Sequence, residues 1–148
     1  MQKKYISSSE KETKNIAKKI AANFTSGMVL GLIGNLGSGK TQFAKGVGEY
    51  FKTKKPINSP TFVLIKLYAI AQPAAIKTLV HIDCYRLQNP QELLDLGFQE
   101  ILANKDNLVI IEWADKIKDI LPLKAVFINF EYGKLPDTRK IIIQKPHN

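Results

Sequence analysis

One stretch constrains this chain more than any other: Gly34-Asn35-Leu36-Gly37-Ser38-Gly39-Lys40-Thr41. It fits the pattern G-x-x-x-x-G-K-[ST] in full. Apolar Met28-Val29-Leu30-Gly31-Leu32-Ile33 precedes it, and Phe43, Val47, Tyr50 and Phe51 follow at helical spacing. A short, unbroken apolar run suits a strand buried on both faces. Glycines let main-chain N–H groups close round phosphate oxygens, because no side chain obstructs them and positive φ is allowed. A helix opening near Lys40 adds unpaired amides and a positive dipole end. The pattern therefore predicts a nucleotide held by the amides of Leu36, Gly37, Ser38, Gly39, Lys40 and Thr41. The Lys40 ammonium is expected on the terminal phosphates and the Thr41 hydroxyl on Mg²⁺.

The rest of the chain alternates strand and helix signals. Residues 4–7 read as a strand. Ser9 with Glu12 three positions on reads as a capping box for a helix carrying Ile16, Ile20, Ala21 and Phe24. Residues 62–70, 79–82, 108–111, 125–130 and 140–143 read as further strands. Asn89-Pro90-Gln91-Glu92 opens another helix, which Gly97 is expected to divide. Gly46 and Gly48 are expected to weaken the helix after the loop by about 1 kcal/mol each relative to alanine. The alternation predicts a three-layer α/β sandwich of the P-loop NTPase type, with a mostly parallel central sheet and antiparallel additions. At 148 residues, a single domain spanning 1–148 is the expectation.

Charge bears on the partners. The formal net charge is +9, and it is uneven: residues 1–80 hold thirteen lysines against Glu10, Glu12 and Glu49. An anionic partner for that half is one reading; solubilising lysines are the other. The only arginines are Arg86 and Arg139, few for a surface built on bidentate phosphate recognition. No apolar run is long enough for a membrane span, and no secretory leader is read at the start. Cys84, the lone cysteine, excludes an internal disulfide. A cytoplasmic, monomeric protein without membrane contact is expected.

A nucleotide site of this kind needs a carboxylate at a strand end for the metal and a group that positions the nucleophile. Glu112, after Leu108-Val109-Ile110-Ile111, and Asp83, after Leu79-Val80-His81-Ile82, both qualify, and sequence alone does not rank them. Thr61 lies between the loop's helix and the next strand, where a switch threonine senses γ-phosphate and metal in GTPases; on its residues alone it reads rather as a threonine starting a strand after a proline turn. His81 reads as a satisfied sheet residue and Cys84 as structural. Trp113 reads either as core filling or as a ligand contact. With so few arginines no internal arginine finger is evident, Arg86 being the one candidate, so the isolated chain is expected to be slow and to depend on a partner.

Taken together, the loop, Ser59-Pro60-Thr61-Phe62, His81-Ile82-Asp83-Cys84-Tyr85-Arg86-Leu87, Glu92-Leu93, Leu96-Gly97 and Ile111-Glu112-Trp113 resemble the TsaE (formerly YjeE) family in content and order. The resemblance covers roughly residues 6–113. It implies a bacterial ATPase that assists the TsaB–TsaD pair in forming threonylcarbamoyladenosine beside the anticodon of tRNAs reading A-starting codons. Contact with tRNA would then be indirect, through the complex. It also implies that Lys40 contacts phosphate, that Thr41 and Glu112 sit around Mg²⁺, that Asp83 is a functional strand-end acid, that Thr61 is switch-like and that Trp113 lies near the nucleotide. The chain departs from the family pattern at Asn35, Val63, Lys66 and Ala114.

Three rival readings remain. A small-molecule kinase would need an acceptor pocket and an arginine-bearing lid. A GTPase would need Asn-Lys-x-Asp, whereas Asn104-Lys105-Asp106-Asn107 has its acid one place early. A non-enzymatic nucleic-acid binder would rest on the lysine-rich half.

Overall fold

A computed structural model describes residues 2–58, 63–71 and 74–145. Seven strands form one sheet: β1 (Gln2–Ser7), β2 (Val29–Gly34), β3 (Ile65–Ala69), β4 (Thr78–Asp83), β5 (Asn107–Glu112), β6 (Val126–Tyr132) and β7 (Arg139–Gln144). Their order is β1-β7-β6-β2-β5-β4-β3. The four central strands, β6, β2, β5 and β4, run parallel. β7 and β1 extend one edge antiparallel, and β3 extends the other. The mostly parallel centre and antiparallel additions are therefore as expected.

Helices cover both faces. α1 (Glu10–Ala21) and α2 (Lys40–Phe51) lie on one; α3 (Pro90–Asp95), α4 (Phe98–Ala103) and a 3₁₀ helix over Ala114–Ile120 lie on the other. The pleat sorts the strand residues between them. Leu30, Leu32, Leu108 and Ile110 pack with Ala17, Phe43 and Val47. Val29, Val80, Val109 and Ile111 pack with Leu93, Phe98 and Ile117. Every residue of β5 is buried, which is why its sequence lacks the alternation of a half-exposed strand.

Local chemistry starts α1 and α3, and divides α3 from α4, where the sequence suggests. Ser9 Oγ accepts from the Glu12 amide at 3.1 Å, while the Glu12 carboxylate reaches back to the Ser8 amide at 3.0 Å, one residue before the cap itself. Asn89 forms a complete capping box with Glu92. Gly97, at φ +90°, separates α3 from α4. Gly46 has a role that helix propensity hides. An added Cβ there would lie 2.6 Å from the Lys14 carbonyl and 2.8 Å from Ala17 Cβ, so α1 and α2 pack through the missing side chain.

Candidate functional site

Everything the loop brings together lies at the C-terminal ends of the parallel strands, where open α/β sheets bind ligands. The loop leaves β2 and enters α2 with Gly37 at φ +76° and Gly39 at φ +109°, left-handed values that favour glycine. Leu36, Gly37, Gly39, Lys40 and Thr41 line a cavity of about 630 Å³. Ser38 is buried beneath the loop, and its amide donates to the Asn35 carbonyl at 3.1 Å.

Lys40 is 4% exposed. Its ammonium donates to the carbonyls of Gly34 (2.5 Å) and Asn35 (2.9 Å) and stands 4.2 Å from the Trp113 ring centroid. Burial lowers its pKa below the ordinary lysine value, opposed by the negative field of Glu112, Asp83 and Asp115. The carbonyl bonds, the Trp113 ring and the field of those carboxylates together offset part of the cost of burying this cation.

The two strand-end acids are neighbours. In the parallel register of β4 on β5, Asp83 stands opposite Glu112, and both line the cavity. They are not equivalent. Glu112 is 3% exposed, accepts from Thr41 Oγ1 at 2.9 Å through Oε1, and meets His81 Nε2 at 2.6 Å through Oε2. Which of the two donates in this bond depends on the His81 tautomer. Asp83 is partly exposed and accepts from the Tyr85 amide at 2.9 Å. Burial pushes its carboxyl above the usual range, with Glu112 adding to the rise.

His81 is fully buried at the sheet, as expected, but it is not fully satisfied: Nδ1 has no hydrogen-bond partner. The pleat explains its neighbour. His81 and Asp83 share one strand face, and that face carries Glu112 on β5. Trp113, at φ +58° and ψ +41°, turns the chain out of β5 into the 3₁₀ helix. Its ring lies 5.1 Å from that of Tyr85 at the cavity wall. It is thus a wall residue as well as a packing one.

Thr61, with Ser59, Pro60 and Phe62, lies outside the described residues. Cys84 is wholly buried, and burial pushes its thiol up to about 12. Arg86 is not among the described residues that line the cavity; Arg139, at the start of β7, is. Sequence reasoning also missed Asp137, Tyr85 and the Ser8–Thr13 side of the cavity. Arg139 carried one signal, as one of only two arginines in the chain.

The donors suit Mg²⁺, a hard cation that takes oxygen ligands and keeps several waters. A hydroxyl and a buried carboxylate already meet at Thr41 and Glu112, with Asp83 alongside. No group of three or more His, Cys, Asp or Glu side chains able to hold a metal occurs among the described residues, so an ion there would rely on water and phosphate oxygens for its other ligands.

A parallel four-stranded centre, a glycine loop joining strand to helix, and a lysine, threonine and acid converging beneath that loop define a P-loop protein of the α/β class. Comparison with known proteins makes this specific. The family model for "Threonylcarbamoyl adenosine biosynthesis protein TsaE" matches residues 7–141, and the chain belongs to the TsaE family. A Rickettsia bellii (strain RML369-C) protein named "tRNA threonylcarbamoyladenosine biosynthesis protein TsaE" is 39% identical over 127 residues, covering 85% of this chain and 84% of its own. The Bacillus subtilis (strain 168) protein of that name is 40% identical over 127 residues, covering 86% and 76%. A solved structure, "Crystal structure of Bacillus subtilus YdiB", superimposes with a TM-score of 0.78 at 32% identity, covering all of this chain and 88% of the other.

Proposed function

We propose that this chain binds and hydrolyses MgATP in the cavity beneath the glycine loop. In this reading it serves the TsaB–TsaD pair in forming threonylcarbamoyladenosine on tRNA. One observation carries the reading: Lys40, Thr41, Asp83 and Glu112 converge on the cavity, and Glu112 is already bonded to Thr41. The names of the relatives, all biosynthesis proteins of this tRNA modification, support the pathway.

The roles follow from position. Lys40 and the loop amides stabilise negative charge on the transferring phosphoryl group. Lys40 exchanges its present carbonyl partners for phosphate oxygens. Thr41 and Glu112 would hold Mg²⁺, which when bound neutralises phosphate charge. Glu112 is kept in place by His81. Asp83, less buried and nearer solvent, orients the attacking water; Thr61 is proposed as the γ-phosphate sensor. Trp113 closes the wall beside Lys40. Arg139 is committed to loop and hairpin carbonyls, so a partner supplies or completes the missing charge stabilisation, and the isolated chain is slow.

The test measures ATP hydrolysis by the chain alone, with purified TsaB–TsaD, and with tRNA added. Slow turnover alone and a marked rise with the pair are expected. Lys40→Ala should abolish ATP binding or hydrolysis, and Glu112→Ala should mainly impair Mg²⁺-dependent hydrolysis. Unchanged hydrolysis in both variants defeats the site assignment. Phosphorylation of a metabolite in a substrate screen would favour the small-molecule kinase instead.

A further inference from the structure

The outer rim of the glycine loop is held by a part of the chain about one hundred residues away. Tyr132 Oη donates to the Leu36 carbonyl at 2.5 Å, and Arg139 Nε donates to the next carbonyl, that of Gly37, at 3.3 Å. Tyr132 closes β6 and Arg139 opens β7, and the two residues are paired in the sheet register. The Arg139 guanidinium lies 4.7 Å from the Tyr132 ring centroid. Its Nη1 is fixed by the carbonyls of Pro136 (3.2 Å) and Thr138 (3.0 Å) in the hairpin's own turn. That turn is itself closed by a Gly133 amide bond to the Thr138 carbonyl at 2.8 Å.

We infer that the β6–β7 hairpin is a brace for the phosphate loop, with Tyr132 and Arg139 as positioning residues for nucleotide binding. The inference rests on the reading of the cavity as a nucleotide site. Its physics is that of the trans peptide: a carbonyl and the following N–H point to opposite sides of one plane. Holding the Leu36 carbonyl towards the hairpin therefore turns the Gly37 N–H away from it. Holding the Gly37 carbonyl fixes the plane that carries the Ser38 N–H. Gly37 sits between these two planes at φ +76°, where glycine has no side chain to resist rotation. Within the loop the Ser38 N–H bonds the Asn35 carbonyl at 3.1 Å, and the hairpin adds its two bonds to the Leu36 and Gly37 carbonyls from outside. Without the brace only a fraction of molecules keeps the binding geometry, and apparent affinity falls by that fraction.

The experiment uses the full chain, with MgATP binding measured by calorimetry and amide exchange followed across residues 36–39 without nucleotide. Tyr132→Phe removes one hydroxyl and keeps the ring; Arg139→Ala removes the guanidinium; Lys40→Ala serves as the site control. Each brace variant should weaken MgATP binding about fivefold, the effect of one modest hydrogen bond. Each should also speed exchange of the buried Ser38 amide, which is bonded to the Asn35 carbonyl, while far-sheet amides stay protected. Unchanged affinity and exchange in both brace variants would overturn the brace. So would an affinity loss in Arg139→Ala alone with loop exchange unchanged, which would make Arg139 a direct nucleotide contact. If Lys40→Ala binds MgATP like the parent, the nucleotide reading fails, and loop exchange in the other variants still decides whether the hairpin braces the loop.

Discussion

Glu112 is held at both oxygens by side chains far from it in sequence, Thr41 on one and His81 on the other. Removing His81 leaves a buried carboxylate oxygen without its partner, a loss of about 1–3 kcal/mol. His81→Leu should therefore lower unfolding stability by that order in urea titrations, and His81→Gln, which keeps an N–H donor, should recover part of it. An unaltered urea midpoint in His81→Leu would mean the contact contributes nothing. Cys84, the residue directly after Asp83, has the opposite character. It is buried and its thiol is pushed up to about 12, chiefly by loss of water and then by the nearby Asp83 charge. At pH 8 it stays protonated, and only the thiolate reacts. A thiol reagent should label the native chain at least about 100-fold more slowly than the urea-unfolded chain. Rapid native labelling would contradict the burial.

At the scale of elements, the α1–α2 contact shows how packing reverses a propensity. On an exposed helix Gly46→Ala would stabilise by about 1 kcal/mol. Here the new methyl meets a backbone carbonyl and an alanine methyl on α1, both closer than 3 Å. Overpacking of this sort costs about 1–3 kcal/mol, so the net effect should be destabilising. Thermal unfolding of Gly46→Ala checks this: a raised midpoint would show that the helices separate at little cost. The same packing anchors α2, whose first turn carries Lys40 and Thr41. A shift of α2 should therefore also weaken nucleotide binding.

Across the whole molecule, the loop, the two strand ends and the β6–β7 hairpin contribute to one cavity, so ligand binding is linked to global stability. At an ATP concentration about 100 times its Kd, binding adds about 2.7 kcal/mol. For a chain of this size that raises the unfolding midpoint by about 5–10 °C. Differential scanning with MgATP should show this rise in the parent and none in Lys40→Ala. No helix among the described residues is long and apolar enough to cross a membrane. Four lysines of the first half lie on α1, and two of them, Lys14 and Lys18, are turned to Glu49 on α2. Part of the positive excess thus holds helices together. Exposed pairs of this kind add little, about 0–1 kcal/mol each.

What the sequence determined by itself was local: the glycine loop, the apolar strand before it, the helix caps at Ser9 and Asn89, and the division at Gly97. These features are legible because the groups that interact lie within a few residues of one another. Family membership was legible too, because its motifs recur in order along the chain. Only tertiary structure decided which acid lies deeper and is bound to Thr41, since that depends on the register of β4 on β5 and on which face of the pleat meets α2. It also decided that His81 supports Glu112, that Gly46 is a contact rather than a flaw, and that Tyr132 and Arg139 reach the loop. Those choices are made by strand order and helix packing, which bring together residues that no spacing in the chain relates.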